Sequence, residues 1–264
     1  ANSLALLADA SHNAGDVLSL IVVWWTSALA ARAPSARFTY GMRSSSIIAA
    51  LSNAMLLLVI IGGVAWESLL RLTAPESATG TTVMAVAALG VLVNGGTAWL
   101  LQRGAKSDLN MRGAYLHMAG DAAISLAVVI SGGVMLFTDW FWLDPLVSLV
   151  ISGVIIYNTW DLLRESLTLA LHAVPRGIDS AEVKKFLQNI TGVKEVHDLH
   201  IWAMGTTDVA SSFHLIMPSG HPGDAFIKDI AHQLDHTFNI NHTTIQIEIA
   251  DTTATCPLAP DEVI

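Results

Sequence analysis

Apolar residues gather into five long blocks over the first part of the chain, then break into short alternating and helical-period stretches. The blocks run roughly from Leu4 to Ala31, Ile47 to Leu70, Thr79 to Leu101, Leu109 to Phe137 and Pro145 to Leu169. A helix crossing a bilayer core needs about 20 apolar residues, and every block supplies them, so five membrane spans are predicted. From Pro175 onward the period changes. Asp179 or Ser180 caps a predicted helix whose apolar positions Val183, Phe186, Leu187 and Ile190 follow a helical repeat. Val196–Met204 and Val209–Met217 read as strands around a turn at Gly205–Asp208. Asp224–Phe238 is amphipathic through Phe226, Ile227, Ile230 and Leu234, and Thr243–Ala250 alternates with Ile245, Ile247 and Ile249 on one face. This order of helix, strand, strand, helix and strand makes a small α+β layer with its helices on one side of the sheet. The expected fold is a polytopic α-helical membrane domain, residues 1–172, followed by a small α+β domain, residues 173–264.

Composition agrees with a membrane protein. Of the 264 residues, 53% are hydrophobic and only 13% charged, against about 25% charged in a soluble domain. Basic residues orient the spans. Arg32, Arg37 and Arg43 separate the first two blocks, Arg103, Lys106 and Arg112 the third and fourth, and Arg164 and Arg176 follow the fifth. The loops between hold Glu76, and Asp139 with Asp144. The positive-inside bias therefore puts the tail in the cytoplasm and the first residue outside, with Trp140 and Trp142 at the outer interface. An odd number of spans beginning abruptly at Ala1-Asn2-Ser3-Leu4 leads us to expect a further span ahead of this chain, six in all. The alternative is a five-span protein. From Pro175 to Ile264 there are 12 acidic and 5 basic residues, which argues against nucleic acid as a partner. The one cysteine, Cys256, excludes an intrachain disulfide.

Two copies of one spacing change the picture most: His12-Asn13-Ala14-Gly15-Asp16 and His117-Met118-Ala119-Gly120-Asp121. Residues i and i+4 share a helix face, so each copy presents an imidazole beside a carboxylate at membrane depth. Ionisable groups there are costly and mark ion or proton pathways. Two pairs supply two nitrogens and two oxygens, enough to close a tetrahedral site for a divalent ion such as zinc. A lone membrane histidine reads more simply as a buried hydrogen-bonder. Here the spacing occurs twice and no other histidine lies between Ala1 and Ala170, which favours a metal site. Asp9, three residues before His12, is a candidate second ligand layer or proton relay, or else a headgroup-level carboxylate. Asn13, Asn53 and Asn94 are expected to hydrogen-bond between helices. The tail is rich in histidine: His197, His200, His214, His221, His232, His236 and His242. The His232/His236 pair, i and i+4 on a helix, reads better as a solvated face than as a chelate. His200 and Trp202 alternate with Leu199 and Ile201 and read as packing or interface residues. Cys256 is a soft ligand or a plain tail thiol.

The run Leu6-Leu7-Ala8-Asp9-Ala10-Ser11-His12, the second His/Asp pair and the run His197-Asp198-Leu199-His200-Ile201-Trp202 together resemble the cation diffusion facilitators, in particular their bacterial zinc-exporting branch. The resemblance covers essentially the whole chain. It implies a homodimer joined through both membrane and cytoplasmic domains, six spans per protomer, a ferredoxin-like, metallochaperone-like cytoplasmic domain, and metal/proton antiport in the bacterial inner membrane. It maps the transport site onto His12, Asp16, His117 and Asp121, and a regulatory cytoplasmic site onto His197 and His214, with Glu248 a weaker match. Some members carry histidines in a His-Pro-Tyr-Gly-like loop; the corresponding Arg37-Phe38-Thr39-Tyr40-Gly41 has none, which argues against a loop site here.

The expected function is efflux of Zn2+, with Co2+ or Cd2+ as further candidates, by alternating access against protons. Two carboxylates offset the desolvation of a dication, and metal and proton compete for the same imidazole lone pair. The rivals are a membrane metal sensor and an intramembrane metalloenzyme. The latter needs further His-rich runs, or a nucleophile and an open ligand position, and the spans hold only two histidines and no HExxH-type run, which argues against it.

Overall fold

A computed structural model describes residues 2–74, 76, 79–103 and 109–249. The chain divides into two compact units, residues 1–21 with 52–163, and residues 22–51 with 164–264. Five long helices come first: α1 (Leu4–Ala30), α2 (Ser45–Thr73), α3 (Gly80–Leu101), α4 (Leu109–Thr138) and α5 (Leu143–Ala170). Among the described residues, these five are long and apolar enough to cross a membrane. Their outward faces carry large exposed apolar side chains such as Leu20, Val59, Leu92, Ile130 and Val150, which suits a lipid surround rather than water.

Within the first unit a buried apolar cluster that includes Ile61, Val83, Val128 and Ile155 is joined by small and polar contacts, which add to helix association where lipid gives apolar contact little advantage. Ser68 of α2 donates to Ser148 of α5 at 2.8 Å, Asn53 of α2 to Ser19 of α1 at 2.6 Å, and Asn94 of α3 to Asn13 of α1 at 3.2 Å. The asparagine expectation is met by this geometry. Gly80 of α3 and Gly132 of α4 let two backbones approach: a Cβ on Gly80 would lie 2.9 Å from the Gly132 carbonyl. The start of α1 is closed from a distance. The Ser3 hydroxyl accepts from the Leu6 amide at 3.1 Å, while buried Asp144 in the first turn of α5 binds that hydroxyl and accepts the Leu4 amide at 2.6 Å. A carboxylate there satisfies an orphan amide and lies at the positive end of the helix dipole.

The tail contains α6 (Ser180–Gln188), β1 (Glu195–Ala203), β2 (Val209–Ile216), α7 (Asp224–Phe238) and β3 (His242–Glu248). Asp179 is the cap of α6, accepting from the Ala181 amide at 2.8 Å, and Asn239 ends α7 in the left-handed conformation at φ +57°. The sheet order is β1-β2-β3, with β1 antiparallel to β2 and β2 parallel to β3. Its inner face packs Phe213, Leu215, Val196 and Ile201 against Val183, Leu187, Ile230 and Leu234 of the two helices. Phe213→Ala should therefore cost about 3–5 kcal/mol of tail stability, read as faster amide exchange throughout β1–β3. In the same unit the loop between α1 and α2 is tied to the β1–β2 turn. Arg43 pairs with Asp208 at 2.6 Å, and Ser44 Oγ donates to the Met204 carbonyl at 2.9 Å.

One departure from simple alternation matters for chemistry. β1 is irregular between His197, opposite His214, and His200, opposite Ser212. An extra residue is accommodated there, with Asp198 at φ +52°. In a regular strand His197 and His200, three apart, would face opposite ways. The bulge brings both to the outer face of the sheet with His214.

Candidate functional site

α1 and α4 carry the two repeated pairs, and the structure brings them together. His12 Nε2 lies 3.1 Å from Asp121 Oδ1 and 3.9 Å from Asp16 Oδ2. His117 Nε2 lies 3.4 Å from Asp16 Oδ2 and 3.6 Å from Asp121 Oδ2. Ligand atoms of His12, Asp16 and Asp121 all fall within 4.8 Å of one another. The His12 and His117 rings meet edge to face with centroids 6.1 Å apart. Each histidine thus faces the carboxylate of the other helix as well as its own, which is the cross-helix arrangement that a shared cation requires. Asp16 Oδ2 and Asp121 Oδ2 are buried without a hydrogen-bond partner. Such oxygens are expensive unless they bind something positive. Asp121 is almost wholly buried, at 3% side-chain exposure, whereas His117 is 48% exposed. Asp121 and His12 are therefore the enclosed donors, while Asp16 and His117 stand nearer the edge.

That edge opens into a cleft of about 450 Å³ lined by all four residues. Ser19, Asn53, Leu116, Asn158 and Leu162 line it further along. All five lie toward the helix ends that lead into the Arg-bearing loops. Asn158 and Thr159 were not singled out from sequence; two adjacent polar residues inside an apolar span were the available signal. On the opposite side a polar cluster joins α1 and α4. Ser125 Oγ of α4 donates to Asp9 at 3.1 Å, and Asn13 Nδ2 donates to Asp9 Oδ1 at 3.3 Å. Asp9 is thus a buried carboxylate in a small hydrogen-bonded cluster.

The tail brings together a second group. His197 on β1 pairs across the ladder with His214 on β2, and Glu248 on β3 lies opposite Ile216, two residues further along the same face. His214 Nδ1 is 2.9 Å from Glu248 Oε1, and His197 Nε2 is 3.5 Å from the same oxygen. Both ring nitrogens of His197 are buried without a hydrogen-bond partner. Two imidazoles and a carboxylate suit zinc, and a buried unpartnered imidazole suits a metal ligand better than a packing residue. His232 and His236 are exposed on α7 with rings nearly parallel, centroids 6.3 Å apart. Among the described residues no third ligand group converges on them. Cys256 lies outside the described residues.

The transmembrane-domain model of cation efflux proteins matches residues 1–169, and the model of their cytoplasmic domain matches residues 175–250. The chain belongs to the cation efflux, or cation diffusion facilitator, family. This cation efflux protein is 35% identical over 248 residues to the zinc transporter ZitB of Shigella flexneri, covering 93% of this chain and 79% of that one. It is 34% identical over 249 residues to the metal cation efflux system protein CzcD of Cupriavidus metallidurans, covering 94% and 79%. It is 30% identical over 252 residues to the cadmium, cobalt and zinc/H(+)-K(+) antiporter of Bacillus subtilis, covering 94% and 81%. As a member of this family with five span-length helices among its described residues, it is a multi-pass membrane protein with a dimer-forming cytoplasmic domain.

Proposed function

We propose that this protein exports Zn2+ from the cytoplasm in exchange for protons, by alternating access at His12, Asp16, His117 and Asp121. The observation that carries this reading is the convergence of two His/Asp pairs from different membrane helices at the end of a cleft. Its cargo is a substrate, so the site must both hold and release. Two carboxylates and two neutral imidazoles balance a dication taken from water. Protonation of the same imidazoles removes the lone pairs the ion uses, and an imidazole titrates within the pH range a cell can impose. With the cleft on the side of the Arg-bearing loops, the ion loads from the cytoplasm. Opening to the other side requires the cluster around Asp9 to part, which suits Asp9 to a relay role. Cd2+ and Co2+ have compatible donor preferences, and both are named for the Bacillus relative.

The same reading makes residues 1–172 the transport domain, housed in a bacterial inner membrane. Residues 173–264 form a cytoplasmic regulatory domain in which His197, His214 and Glu248 hold a further Zn2+. Dimer contacts extend through the membrane domain as well as the tail. The protein is not an enzyme. In everted vesicles bearing it, Zn2+ should accumulate when the lumen is acidic, and accumulation should collapse when an ionophore dissipates the gradient. Uptake that persists undiminished without the gradient rules out proton coupling.

A further inference from the structure

We propose that Asp198 is the positioning residue of the tail metal site: its carboxylate holds His214 in the tautomer that offers Nδ1 to the ion, and His200 holds that carboxylate in turn. This rests on the reading of His197, His214 and Glu248 as a metal site. His214 is flanked on both ring nitrogens. Nδ1 faces Glu248 Oε1 at 2.9 Å, on the side shared with His197, while Nε2 faces Asp198 Oδ2 at 3.4 Å. The other oxygen, Asp198 Oδ1, lies 2.8 Å from His200 Nε2. A neutral imidazole carries one N–H. An ion held between Nδ1 and Glu248 leaves no room for a proton on Nδ1, so the one N–H must sit on Nε2, where the Asp198 carboxylate accepts it and fixes the ring, the carboxylate–histidine–metal arrangement that commonly tunes such sites.

The backbone supports this assignment. Asp198 has φ +52° at the bulge in β1, a conformation few residues other than Gly, Asn and Asp adopt readily. Its side chain is 12% exposed and that of His214 11%, so this carboxylate sits largely out of water and needs partners. The same bulge turns His200 onto the face where it supplies one. A regular strand at this point would lose both contacts at once.

The test uses the full chain in detergent with Asp121→Ala in the background, so that zinc binding reports the tail. Zn2+ affinity is measured by chelator competition, and two-bond 1H–15N spectra identify the metal-bearing nitrogen of His214. Asp198→Gly keeps the backbone conformation and removes the carboxylate; it should weaken Zn2+ binding about 10–100-fold. Asp198→Asn, which also tolerates positive φ and keeps an acceptor, should recover part of that loss, and His200→Gln should cost less than Asp198→Gly. His197→Ala should abolish tail binding; if it does not, the site reading itself fails. If His197→Ala abolishes binding while Asp198→Gly stays within twofold of the parent, or if zinc sits on Nε2 of His214, the positioning role is overturned.

Discussion

Asp121→Asn should lower zinc flux about a hundredfold or more while leaving the protein folded. The side chain is nearly isosteric, and its remaining oxygen can still face His12, now at 3.1 Å from Oδ1, so packing is preserved. The charge is what is lost. With Asp121 at 3% exposure, little water is available to take its place beside a dication. Removing one member of a buried charge pair costs about 3–5 kcal/mol, and each 1.4 kcal/mol is roughly tenfold in affinity. Loss should show in vesicle flux and in zinc titration of the membrane site, while zinc binding at His197 and His214 stays unchanged. Flux within threefold of the parent would mean that Asp121 is a structural hydrogen-bonder and that the ion passes elsewhere. Asp16→Asn should fall between, because that carboxylate is 31% exposed and water can replace part of its charge.

Much of this arrangement could be read from residue order, and the exceptions share one physical character. Helix limits followed hydrophobic runs: the start of α4 at Leu109 and both ends of α7 at Asp224 and Phe238 coincide with the pattern. The paired His and Asp residues were legible because a polar group in an apolar span is conspicuous and i,i+4 spacing has one geometric meaning on a helix. Long-range polar contacts carry no local signature. Asp144 reaching the start of α1, 140 positions earlier, and Arg43 meeting Asp208, 165 positions later, depend on tertiary placement alone. The bulge at Asp198 escaped for a different reason. Alternation assigns faces by parity, and one inserted residue reverses parity for everything on one side of it. Alternation alone reads His200 as a packing or interface residue and gives no sign that its Nε2 lies 2.8 Å from Asp198. The partner of Asp9 was illegible for the same reason as the long-range contacts, since Ser125 lies 116 positions later on another helix.

Gly120→Leu should block transport without disturbing the fold, cutting flux about tenfold or more. Gly120 precedes Asp121, lines the cleft, and a Cβ built there meets no atom within 4 Å. A leucine therefore adds bulk to open space rather than to packed space, and replacing Gly in a helix interior removes a penalty of about 0.8–1.0 kcal/mol. Stability should hold or rise while the route to His12 and Asp16 narrows. Gly113, two turns earlier on the same helix, is the control: a Cβ there also meets nothing within 4 Å, yet the residue does not line the cleft. Gly113→Leu should therefore leave flux near the parent value. The pair separates access from assembly. If both variants transport normally, the ion does not enter through this cleft; if only Gly120→Leu fails while zinc still binds at equilibrium, the cleft is the loading path and its blockage is kinetic. That last outcome would also place the slow step on the cytoplasmic side of His12, because a plug there delays loading and leaves the ligand set, and hence the affinity, intact.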